Sequence, residues 1–113
     1  MILGQAQDDA NPHRGEASLE IGGSRLLLRP SFAALVAAEE ELGPLFALVE
    51  RAGNGQLRLG EMAALFWHCL VSRDGLDRDA VGNAVLQLGL AEASKPLRVL
   101  LGQILQGEAG DSA

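Results

Sequence analysis

The chain has 113 residues, 48% of them apolar, with 15 acidic against 9 basic side chains and a formal charge of −6. That length suits one domain with one core, needing neither metal nor disulfide. The negative balance disfavours nucleic acid, whose capture depends on Lys and Arg neutralising phosphates, and no apolar run reaches the roughly 18 residues of a membrane span.

Residues 1–12 open on Met1-Ile2-Leu3, too short for a signal-peptide core and without a basic start, and then turn polar through Asp8 and Asp9. They are expected to be a flexible arm ending at Asn11-Pro12, with a single domain over residues 13–106 and a flexible tail over 107–113. A cytoplasmic location is expected. The lone Cys69 agrees, because it cannot form an internal disulfide.

Residues 16–29 predict a β-hairpin. Ala17, Leu19 and Ile21 alternate with Glu16, Ser18 and Glu20, and Gly22-Gly23 follows as a two-residue turn. Setting Ile21 against Ser24 places Glu20 opposite Arg25 and Glu16 opposite Arg29. The same register pairs Leu19 with Leu26 and Ala17 with Leu28, so charge pairs and apolar pairs agree. Leu27 then falls on the charged face. An isolated hairpin is not stable in water, so its apolar face must lie on helices.

Pro30 stops the second strand, and Ser31 is a good N-cap for a helix to about Leu42, with Phe32, Leu35, Val36 and Leu42 expected inward. Gly43 closes it, and Pro44 suits the first turn of a shorter helix carrying Leu45, Phe46, Leu48 and Val49. A third helix is expected from roughly Gly60 to Ser72, with Met62, Leu65, Phe66, Cys69 and Leu70 on one stripe. Asp77 caps a fourth, roughly Arg78 to Leu88, closed by Gly89. The last runs from about Ala91 or Pro96 to Gln106. The predicted fold is α+β, mainly α: an N-terminal β-hairpin packed on a bundle of four to five short helices.

Candidate chemistry is sparse. His68 and Cys69 are helix neighbours about 100° apart and share no face; Cys69 sits on the apolar stripe, where a thiol behaves as a small hydrophobe. His13, His68 and Cys69 lack metal-ligand spacing. The acidic loop Asp74–Asp79 fails the calcium-loop pattern, since Gly75 stands second and Val85 occupies the twelfth position. Gly53-Asn54-Gly55 lacks the residues of a phosphate loop. No catalytic, cofactor-binding or metal residue is therefore expected, and no cofactor. Two features point to contact instead. Glu39-Glu40-Glu41 lies near a helix C-terminus, where the macrodipole disfavours negative charge; it is a solvated face or a binding surface. Leu97, Leu100, Leu101, Ile104 and Leu105 form an amphipathic stripe on the last helix, a core face or a surface for a partner helix or a second copy. The candidate partner-binding residues are Leu97, Leu101, Ile104, Leu105, Glu39 and Glu40.

His13-Arg14-Gly15-Glu16, the run Leu28-Arg29-Pro30-Ser31-Phe32-Ala33-Ala34-Leu35, Glu41-Leu42-Gly43, Leu57-Arg58-Leu59, the helix through Trp67, Val81-Gly82 and the apolar final helix share an order and spacing. Over residues 13–106 that pattern resembles the phage-like tail proteins of gene transfer agents, usually described as tail assembly chaperones. The resemblance implies a chaperone that binds the tape-measure protein and aids recruitment of tail-tube subunits, with no chemistry required. Two alternatives are a structural tail component retained in the particle and a small host regulatory or binding domain. A cofactor-independent enzyme using Cys69 or His68 is the contrasting class.

Overall fold

The computed structural model describes residues 16–106. The expected flexible arm, the residues His13-Arg14-Gly15 and the tail over 107–113 lie outside the described residues.

Two strands, β1 (Ala17–Ile21) and β2 (Ser24–Leu28), form the hairpin. The register pairs Ala17 with Leu28, Leu19 with Leu26, Glu20 with Arg25 and Ile21 with Ser24. The charge-matched alignment is thus the observed one. At its open end the Arg29 Nε donates to Glu16 Oε2 at 2.8 Å. Gly22 and Gly23 both take positive φ, 58° and 86°, which the two-residue turn demands of its corner residues.

Five helices follow: α1 (Phe32–Leu42), α2 (Leu45–Gly53), α3 (Leu59–Cys69), α4 (Arg78–Leu88) and α5 (Leu90–Gln106). Local chemistry sets their starts. Ser31 Oγ accepts from the Ala34 N–H and Asp77 Oδ1 from the Ala80 N–H, each satisfying a first-turn donor. At α3, Glu61 Oε1 reaches back to the Arg58 N–H at 2.9 Å. Gly43, at φ 93°, ends α1 as its C-cap.

The hairpin rests on α4 and α5 through β1, while α3 packs on both α1 and α4, and α2 bridges α1 and α5. Phe66, Leu19, Leu28, Leu48, Leu65, Leu100, Val81, Val85 and Cys69 are the largest fully buried side chains. The apolar stripe expected on α3, Met62 through Leu70, is buried throughout.

Three expectations need correction. Phe32 and Val36 do not face inward: they are 85% and 38% exposed. Ala34 and Ala38 hold the buried face of α1 instead. At about 100° per residue, Phe32 lies about 200° before Ala34 and Val36 about 200° after it. Small residues against α3 allow a close approach and turn the large ones outward. The same offset separates Phe46, 81% exposed, from the fully buried Leu48 on α2.

The third helix stops at Cys69 rather than Ser72. Leu70 turns extended and bridges Leu28. Arg29 N donates to Cys69 O at 2.7 Å and Val71 N to Leu27 O at 3.0 Å. Three residues thereby cover the outer edge of β2, whose backbone groups would otherwise lack partners. The last helix, α5, starts at Leu90, beside the earlier of the two expected starts, and carries Pro96 inside it. Pro96 ends no helix here, although it cannot donate the usual backbone bond.

Candidate protein-binding site

Helices α2 and α5 lie side by side with opposite directions, because Pro44 to Val49 share a cleft with Ile104 and Leu105 while Ala52 to Gly55 share one with Ser94 to Gly102. The first cleft, about 310 Å³, is lined by Glu39, Pro44, Leu45, Phe46, Val49, Ile104 and Leu105. The second, about 490 Å³, continues it and shares Val49 and Leu105 with it. Together they make one trough along the α2–α5 seam. Its floor is apolar: Leu97 is buried, and Leu101 and Ile104 are half-buried beside it. Phe46 and Leu105 stand exposed at its rim.

This trough gathers most of the residues singled out in the sequence. Glu39, Leu97, Leu101, Ile104 and Leu105 all line it, although Leu97 is buried and offers only floor. Glu40 is exposed and does not line it. The α2 side, Pro44, Phe46 and Val49, was not among the sequence candidates, nor were Arg98 and Gly102. The 200° offset of Phe46 from Leu48 was the available signal, but it requires knowing which residue of α2 faces the core.

The structure also separates the three carboxylates of Glu39-Glu40-Glu41. Glu39 Oε2 accepts from the Leu45 N–H at 3.0 Å, so it serves the N-terminus of α2, where negative charge is favoured. Glu41 is clamped by a bidentate guanidinium: Arg78 Nη1 donates to Oε2 at 2.7 Å and Nη2 to Oε1 at 2.5 Å. His68 Nε2 stands 2.8 Å from the same Oε1 and 3.3 Å from Arg78 Nη2, so the imidazole packs against both members of the pair. Arg73 and Arg78 lie 5.0 and 5.9 Å from the Trp67 ring centre, and Arg73 also donates to the Trp67 and His68 carbonyls at the end of α3. The cluster ties α1, α3 and α4 together.

Its chemistry is that of a strut. Arg78 first, and His68 second, hold the Glu41 carboxyl down at about 2, which makes it a poor base near neutrality. Burial pushes the Cys69 thiol up to about 12, against a small opposing pull from Arg73, so little reactive thiolate forms. Among the described residues no three His, Cys, Asp or Glu side chains group as a metal site, and no helix is long and apolar enough to cross a membrane.

Other recesses carry more charged side chains. One of about 300 Å³ is lined by Arg29, Ser31, His68 and Arg73 beside the alanines of α1. Another, between α3 and α4, sets Leu59, Ala63 and Leu86 beside Arg78, Asp79 and Asn83.

A hairpin seated on five short helices, with an apolar trough on one side, defines a small α+β protein, mainly α. The family model described as phage tail tube protein, GTA-gp10, matches residues 14–107. The chain belongs to that family, and is thereby a phage-like or gene transfer agent tail protein. No curated protein and no solved structure matches it.

Proposed function

We propose that this protein is a tail assembly chaperone, which holds the tape-measure chain in the cytoplasm of the producing cell and aids tail-tube assembly by binding alone. The α2–α5 trough carries this reading: it exposes large apolar side chains, Phe46 and Leu105, beside an apolar floor. Surface of that kind suits capture of another apolar segment. Catalysis has little support, because the Cys69 thiol is suppressed and Glu41 is locked by Arg78.

The family description favours a second reading, a structural subunit that remains in the tail. Two measurements on a producing cell separate them. A chaperone copurifies with the tape-measure protein from lysate and is absent from finished particles by mass spectrometry. Stoichiometric presence in washed particles would favour the structural subunit, and failure to copurify would remove the chaperone reading.

A further inference from the structure

We infer that the α2–α5 trough takes a single amphipathic helix of the partner chain and fixes its direction, with the helix N-terminus at Glu39 and its C-terminus at Arg98. The inference rests on the binding function proposed above and deepens it.

The trough is built for a rod. At about 1.5 Å per residue, the stretch of α5 from Ser94 to Leu105 runs about 16 Å, or three turns of a third helix. The floor at the α2 N-terminal end is large and apolar, through Leu45, Val49 and Ile104. Towards the other end it widens over small side chains, Ala52, Gly53, Ser94 and Gly102, over which a partner backbone can approach closely. A β-carbon built on Gly53 or Gly102 meets nothing within 4 Å, so both glycines open onto free space.

Charge complementarity supplies the direction. Glu39 lines the first cleft, at the Pro44 end. Arg98 lines the second and is exposed one turn inside the Ser94 end. A helix carries partial positive charge at its N-terminus and partial negative charge at its C-terminus. Laid with its N-terminus at Glu39, it meets opposite charge at both ends; reversed, it meets like charge at both. The docked helix therefore runs parallel to α2 and antiparallel to α5.

The probe is a synthetic peptide of about 18 residues, uncharged, with leucines at i, i+3, i+4 and i+7, carrying a nitroxide at one terminus or the other. In NMR spectra of the full chain, the N-terminal label should broaden amides around Glu39 and Pro44, and the C-terminal label those around Ser94 and Arg98. Arg98→Glu should erase that preference. Gly102→Trp places a large side chain in the trough and should weaken binding at least about tenfold with the fold retained by circular dichroism. Should that variant unfold, Leu105→Gln, at an exposed position, provides the same reading. The opposite label pattern, or binding unaffected by both variants, overturns the inference. So does self-association of the protein that Gly102→Trp abolishes while the peptide fails to bind, since the trough then belongs to a second copy. Peptide docking as described without tape-measure copurification leaves this inference standing and removes the proposed function. Copurification undiminished by Gly102→Trp does the reverse.

Discussion

Glu41→Gln tests the clamp between α1, α3 and α4. In the folded protein Arg78, then His68, hold the Glu41 carboxyl at about 2 against an ordinary 4.5. A shift of that size corresponds to roughly 3 kcal/mol if the group were shielded from water. The Glu41 side chain is 37% exposed, however, and water and salt screen the pair. We therefore expect a loss of about 1 kcal/mol at pH 7, or roughly 4 °C in Tm for a protein of this size. The pH dependence carries the sign. A carboxylate lowered on folding contributes stability above its unfolded value, and that contribution is lost as pH falls towards the folded value. Urea denaturation of the wild type and Glu41→Gln should differ fully above about pH 5 and converge as pH drops from 4.5 towards 2. A difference that stays constant across that window, or no difference at pH 7, would refute the electrostatic account of the clamp.

Other substitutions probe the core and the helix phases. Phe66→Ala removes a fully buried ring and should cost about 3–5 kcal/mol in urea denaturation. Phe32→Ala and Phe46→Ala, at positions more than four-fifths exposed, should each stay within about 0.5 kcal/mol of wild type. A cost near that of Phe66→Ala at either position would mean that the α1 or α2 phase is wrong. Ellman's reagent should leave native Cys69 untouched and modify it only as the protein unfolds in denaturant; prompt labelling of native protein would contradict its burial.

The hairpin was legible because two independent patterns had to agree. One register satisfied both the charges of Glu16, Glu20, Arg25 and Arg29 and the apolar pairs, and a slip by one residue would have broken both. Helix order and the caps at Ser31 and Asp77 were legible for a similar reason, since each is a local contest over a few backbone donors. Helix phase on α1 was not. Ala34 and Ala38 carry little apolar weight in a sequence stripe, yet they decide how closely α1 meets α3, which is a property of the partner helix. The end of α3 was hidden likewise, because Leu70 leaves the helix to serve the edge of a strand more than 40 residues earlier. Of the candidate site, the α5 side could be read from its stripe, whereas the α2 side and the Glu41–His68–Arg78 cluster exist only once distant segments meet.

Gly102 brings stability and surface shape into one measurement. It sits inside α5, where glycine is less favourable than alanine by about 0.8–1 kcal/mol. Its backbone has no left-handed φ that would require glycine, and an added β-carbon meets nothing within 4 Å. Nothing in the isolated fold therefore opposes Gly102→Ala, and we expect it to raise stability by about 0.5–1 kcal/mol in urea denaturation. The same methyl group projects into the α2–α5 trough, so it narrows the space available to a docked backbone. Stability and helix binding should consequently move in opposite directions, firmer folding with weaker capture of the amphipathic peptide. Destabilisation by Gly102→Ala would show that the position is packed more tightly than the structure has it, and would remove the physical basis for reading the trough as open.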